Sequence, residues 1–175
     1  STKVAVYEDE NPVWTSDGLH DPAEIDKFST INEQYEYRKD FVLNLLKEAG
    51  IPLKFDAVIG RGGLLKPLQG GVYAINELMK KDLWNAKHQH VCNLGSLIAD
   101  EIAHECHCPA FMADPVVVDE MMTRARYTGL PFMKRESIFH ALNAKAASRR
   151  YARSIGKSYE ELNLVVAHLG GGICV

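Results

Sequence analysis

At 175 residues, with 46% of them hydrophobic and 25% charged, the chain has the makeup of one well-buried globular domain, so disorder is not its default state. A formal charge of -3 without a long basic run argues against nucleic acid or an anionic membrane as its main partner. No apolar run approaches the length of a bilayer span, no basic-then-apolar pattern marks a signal peptide, and the expected location is the cytoplasm.

The chain passes from Ser1-Thr2-Lys3 into Val4-Ala5-Val6-Tyr7, a β-branched run that reads as a strand. Glu8 to Pro12 is a turn signal, and Val13-Trp14-Thr15 returns as the second arm of a hairpin. Thr30 with Glu33 makes a capping box, after which Ile31, Tyr35, Val42, Leu45, Leu46 and Ala49 share one helical face until Gly50 and Pro52. Asp56 to Gly60 reads as a buried strand that runs into Arg61-Gly62-Gly63.

Leu65 to Val72, with Pro67 and Gly70-Gly71, suggests a small irregular hairpin, and Ile75 to Trp84 a short helix. A further helix fits Leu94, Leu97, Ile98 and Ile102, and Ala110 to Ala113 is the next strand, ending at Asp114-Pro115. Ser137 is placed to cap an alanine-rich helix that Gly156 stops, with Arg149, Arg150 and Arg153 near its C-terminal end, where cations complement the dipole. Leu164 to Ala167 then forms an apolar strand leading to His168, Leu169 and the turn Gly170-Gly171-Gly172. Strands alternating with helices imply an α/β layer fold with some parallel pairing, preceded by a hairpin.

Three predicted strands thus end in Arg61, Asp114 and His168, each followed by glycine, by proline or by a leucine and a glycine run. If those strands lie parallel in one sheet, an arginine, a carboxylate and an imidazole meet on one edge beside a side-chain-free turn whose N–H groups suit an anion. Those are the parts of a phosphoryl-transfer site: charge neutralisation, positioning of a metal or of the nucleophile, and stabilisation of the equatorial oxygens. Structural alternatives stand beside each residue: an ion-pair partner for Arg61, a turn residue for Asp114, a core histidine for His168.

Other candidates carry less. Gly156-Lys157-Ser158 resembles the end of a P-loop, but position 152 is Ala and a helix precedes it where a strand belongs. His104, Cys106, His107 and Cys108 match no zinc spacing, and no protein-held metal site is expected. The four cysteines, at 92, 106, 108 and 174, are irregularly spaced and read as reduced thiols.

The blocks Gly60-Arg61-Gly62-Gly63-Leu64-Leu65-Lys66-Pro67, Ala113 to Met121, Ser137 to Asn143 and Ala167 to Gly172 resemble the acetate kinase family in order along the chain. The resemblance implies an actin-like ATPase fold: two ribonuclease-H-like domains, of which residues 1–175 are a single, truncated N-terminal domain with a mixed sheet flanked by helices and its first strand missing. Ser1-Thr2-Lys3 resembles the tail of the family's opening phosphate loop, and the nucleotide-base site and most of the dimer contact lie in the absent domain. By the same resemblance, Arg61 holds the carboxylate substrate and the transferring phosphoryl group, Asp114 stands near the attacking carboxylate, and His168 hydrogen-bonds the phosphoryl in flight. Gly170, Gly171 and Gly172, with Ser1 and Thr2, contact the phosphates.

Two departures matter. A histidine of acetate kinases falls at Ala144, and their valine two residues beyond the substrate arginine falls at Gly63, which is expected to leave room for a longer acyl tail. The implied activity is reversible ATP-dependent phosphorylation of butyrate or a branched short acid to an acyl phosphate, with ATP and Mg²⁺ as cofactors and a homo-oligomer when full-length. The alternative is a non-catalytic nucleotide-binding domain, or a truncated pseudo-enzyme, on the same fold.

Overall fold

The computed structural model describes residues 1–169 and 173–174. Strand β1 (Thr2–Glu8) and strand β2 (Asn11–Gly18) form the expected antiparallel hairpin, in register from Thr2 opposite Gly18 to Val6 opposite Trp14. Alternation places Val4, Val6 and Trp14 on one face, against the core, while Lys3 pairs with Asp17 across the strands at 2.7 Å. A short helix, α1 (Pro22–Ile25), follows with Asp21 as its N-cap.

Helix α2 (Tyr35–Glu48) begins one 3₁₀ turn later than the capping box suggests. The Thr30 hydroxyl does accept from the Glu33 N–H at 3.4 Å, but the Glu33 carboxylate reaches back to the N–H of Ser29 rather than that of Thr30. The box therefore closes around a 3₁₀ turn, which delays the α-helix. Val42 and Leu46 of α2 are buried against Leu83 of α3 (Glu77–Trp84) and Leu94, Leu97, Ile98 and Ile102 of α4 (Cys92–Glu105), forming the hydrophobic core.

The central sheet is mixed and three-stranded. Strand β3 (Val58–Arg61) runs parallel to β5 (Ala110–Ala113), and β4 (Val72–Ala74) runs antiparallel to the other edge of β5. The hairpin expected within 65–72 does not form. Leu68 instead makes an isolated parallel bridge to Val118, and the chain turns through Gly70-Gly71 to deliver β4. Strand β3 is buried only in part, since Ile59 is 63% exposed. Helix α4 lies close on β3 because Gly60 and Gly95 face each other: a Cβ on Gly95 would come within 2.7 Å of the Arg61 carbonyl oxygen, and one on Gly60 within 2.6 Å of that of Gly95.

Helix α5 (Ala141–Ser154) starts four residues after Ser137, which is not its cap; the Ser137 hydroxyl donates to the Val118 carbonyl at 2.7 Å and ties down the preceding loop. The apolar run Leu164 to Ala167 is not a buried strand: it has no regular structure and Val165 is 86% exposed. An apolar run becomes a strand only where another backbone meets its N–H and C=O groups, and no described strand pairs with this one. Pairing begins at β6 (His168–Leu169), which forms a short antiparallel ladder with β7 (Ile173–Cys174). Among the described residues, no helix is long and apolar enough to cross a membrane.

Candidate active site

The parallel pairing of β3 with β5 brings two of the candidate residues to neighbouring strand ends. Arg61 stands opposite Ala113 in the register, and Asp114 follows Ala113 directly. The Arg61 side chain is exposed and makes no ion pair or hydrogen bond among the described residues, leaving its five donors to a ligand. Its carbonyl, by contrast, is anchored by the Ser96 hydroxyl at 3.5 Å and by the close approach of α4.

Asp114 has the opposite character. It is 6% exposed, and its backbone sits at φ 36°, in the left-handed region that costs an ordinary side chain energy. Two bonds to the chain before β4 hold it there: its N–H donates to the Gly71 carbonyl at 2.9 Å, and its Oδ1 accepts from the Gly71 N–H at 2.9 Å. A buried carboxylate needs compensating charge, which α5 supplies. Lys145 Nζ lies 3.7 Å from Asp114 Oδ1 and Arg149 Nη1 lies 3.7 Å from Oδ2, the two cations sharing a helix face at the i, i+4 spacing.

Lys145 also pairs with Glu120 Oε1 at 2.8 Å, and the Gly70 N–H donates to the same oxygen at 3.0 Å. The Lys145 ammonium, followed by that N–H and the charge of Arg149, holds the Glu120 carboxyl below its ordinary range against the opposing effect of burial. Lys145 was not legible as a site residue. Arg149 does more than complement the helix dipole, and the only sequence signal for either was a lysine and an arginine four apart in an alanine-rich helix.

His168 does not arrive on a third parallel strand of this sheet, contrary to expectation. It belongs to the β6–β7 hairpin and meets the start of α5, where its ring stacks on His140 with centroids 4.3 Å apart and its Nδ1 lies 3.3 Å from Asn143 Nδ2. His140 Nδ1 is itself buried without a hydrogen-bond partner among the described residues. On a helix, residues two apart diverge by about 200°, so Asn143 and Lys145 leave α5 in different directions. The structure thus brings Arg61 beside Asp114 across the sheet and attaches His168 to the Asn143 side of α5, with no hydrogen bond or ion pair between His168 and either of the others among the described residues.

The remaining candidates fall elsewhere. Gly63 is buried, and a Cβ there would meet Asn93 Oδ1, lie 2.6 Å from Asn93 Cα and 2.9 Å from Leu83 Cδ2. The space expected for an acyl tail is filled by α3 and α4, and the missing side chain instead seats Asn93, whose Oδ1 accepts from the Leu64 N–H at 2.9 Å. Thr2 Oγ1 lies 2.7 Å from His20 Nε2 and 3.4 Å from Arg38 Nη1, and neither Ser1 nor Thr2 is hydrogen-bonded to Arg61 or Asp114 among the described residues. Gly170, Gly171 and Gly172 lie outside the described residues. Cys92, Cys106 and Cys108 are free thiols, and no three His, Cys, Asp or Glu side chains among the described residues gather to hold a metal ion.

No family model matches the chain. Its whole length is nonetheless 67% identical to a probable butyrate kinase of Phocaeicola vulgatus, 52% to a probable butyrate kinase of Bacteroides thetaiotaomicron and 49% to butyrate kinase 1 of Clostridium acetobutylicum. The chain spans about half the length of the curated relatives it matches: 49% of the first and 50% of the other two. Such identity bears out the resemblance read from the motifs and carries with it the actin-like ATPase fold, with which the mixed sheet flanked by helices agrees.

Proposed function

From kinship with the butyrate kinases along the whole chain, we propose that the protein containing it is a carboxylate kinase, transferring the γ-phosphoryl of ATP reversibly to butyrate or a branched short acid. In this reading residues 1–175 are a single N-terminal domain, inactive alone, of a cytoplasmic homo-oligomer. The observation that carries it is the pairing of an exposed guanidinium free of described partners, Arg61, with a buried carboxylate flanked by two cations, Asp114, on adjacent parallel strand ends.

The chemistry follows from those characters. A carboxylate substrate is already ionised at neutral pH, so the reaction needs positioning rather than a base. Arg61 takes the substrate carboxylate and the equatorial oxygens of the phosphoryl group, offsetting charge as it spreads in the transition state. A substrate carboxylate oxygen bonds to the γ-phosphorus, the bond from that phosphorus to the β,γ-bridging oxygen breaks, and ADP leaves with the electron pair. Asp114 orients the nucleophile; Lys145 and Arg149 beside it offset the repulsion between two carboxylates. His168, with His140 stacked behind it, donates to the phosphoryl group, while Ser1, Thr2 and Gly170 to Gly172 line the phosphates.

ATP carries the transferable group, and Mg²⁺ is its expected companion. The described residues do not form a cradle for that ion, because the Asp114 and Glu120 carboxylates are turned toward Lys145 and Arg149. The deciding experiment traps acyl phosphate with hydroxylamine, from ATP and butyrate, isobutyrate, propionate or acetate, using this chain and a protein of the relatives' full length. Activity confined to the longer protein and greatest with four-carbon acids is the expected result. ATP binding without turnover in that protein overturns the kinase in favour of a nucleotide-binding domain.

A further inference from the structure

Lysine is seldom buried without a task, and Lys145 is 11% exposed along its side chain. Among the described residues, its ammonium is the one group paired with both carboxylates of the site: Glu120 closely, at 2.8 Å, and Asp114 more loosely, at 3.7 Å. The chain leaves a slot for it at Gly70. A Cβ on Gly70 would fall on Lys145 Nζ, 2.6 Å from Glu120 Oε1 and 3.0 Å from Asp114 Oδ1. Lys145 also lies in the same first turns of α5 as Asn143, two residues before it, and just after the N-cap His140, the residues that hold His168. Arg149 shares the contact to Asp114, but half of its side chain is exposed and its guanidinium also lies over the Tyr159 ring, 5.4 Å from the centroid.

We propose that Lys145 is a positioning residue for phosphoryl transfer: held between Glu120 and Asp114, it fixes the Asp114 carboxylate at the end of β5 and locks α5, with the His140–His168 stack, against that strand end. The inference rests on the carboxylate-kinase reading and names the joint between the two halves of its site. Glu120 is the anchor, bonded to Lys145 and to the Gly70 N–H, so that the ammonium keeps one fixed partner while it constrains the other. Displacing the ammonium frees the carboxylate and the helix together, and a misplacement on the order of 1 Å at a reacting centre costs about 100-fold in rate.

The test uses the full-length protein and measures kcat and KM for acyl-phosphate formation. Lys145→Met keeps the length and loses the charge; Lys145→Arg keeps the charge; Gly70→Ala leaves every charge in place and puts a methyl where the ammonium sits. The expected result is a kcat lower by about 100-fold in Lys145→Met, with both KM values within about threefold of wild type. Lys145→Arg retains more kcat than Lys145→Met, and Gly70→Ala lowers kcat as well. Wild-type kcat in Lys145→Met, or a better enzyme with Met than with Arg, overturns the proposal, because the lysine then only fills space. If Lys145→Met does not fold, wild-type kcat in Gly70→Ala overturns it. A full-length wild type that makes no acyl phosphate removes the reaction and this role with it, and is recognised before any variant is compared.

Discussion

Arg61 and Asp114 stand side by side, yet they are held in ways that predict different losses on mutation. Arg61 is exposed and has no described partner, so Arg61→Ala is expected to change stability by less than about 0.5 kcal/mol while cutting turnover by about 1,000-fold. Asp114 is buried, accepts from Gly71 and faces two cations, so Asp114→Ala strands the Gly71 N–H and removes a carboxylate shared by Lys145 and Arg149. It is expected to cost about 3 kcal/mol of stability in addition to activity. Urea melts and initial rates on both variants of the full-length protein check the contrast, and equal destabilisation by the two would refute it. The sequence made both residues visible because each closes a β-branched or apolar run with a polar side chain before a glycine or proline. It could not show that Asp114 is compensated from α5, since a lysine 31 positions downstream is brought near only by tertiary packing.

At the level of elements, legibility followed the source of each element's hydrogen bonds. Helices α2 and α4 close their own bonds, and their apolar periodicity located them; β5 was read to the residue because it pairs on both sides. Leu164 to Ala167 has the composition of a strand and lacks a described partner, so composition alone misplaced it, and the third parallel strand end went with it. Gly63 shows the same limit for space: an absent side chain reads as room until α3 and α4 are seen to occupy it.

The docking of the β1–β2 hairpin on α2 has a pH dependence of its own. His20 stacks on Phe41 at 4.4 Å, and Arg38 Nη1, which can only donate, lies 3.1 Å from His20 Nε2. That nitrogen must accept and therefore carry no proton. Burial first, and then the Arg38 charge, push the imidazole below its ordinary range. With a folded value below the unfolded one, the unfolded chain binds the proton first on acidification. The stabilising contribution is therefore complete above about pH 6.5 and is lost as the pH falls toward the folded value. Urea melts of this chain between pH 7.5 and 5 are expected to show a falling midpoint whose slope is reduced in His20→Gln; an unchanged slope would remove His20 as its cause.

For the whole molecule, on the kinase reading, the same features that make Arg61 a candidate predict that the isolated chain is a poor catalyst. Its guanidinium lies open to water, where charge stabilisation is weak: two unit charges 4 Å apart gain about 1 kcal/mol in bulk water and about 4 kcal/mol at an effective dielectric near 20. Phosphoryl transfer depends on that difference, because positioning and charge neutralisation are nearly all the protein contributes. The chain spans about half the length of its relatives, and on the kinase reading the other half must cover this edge of the sheet when ligands bind. Phenylglyoxal, which modifies accessible arginines, reports on that cover. In the isolated chain Arg61 is expected to react at the same rate with or without ADP and butyrate, whereas in the full-length protein the pair together should slow its modification by about tenfold or more, as a water-excluded site requires. Mass spectrometry of the Arg61 peptide gives the rates. Equal protection in both proteins would mean that this half already closes its own site, and no protection in either would mean that Arg61 faces solvent throughout and does not hold the reacting groups.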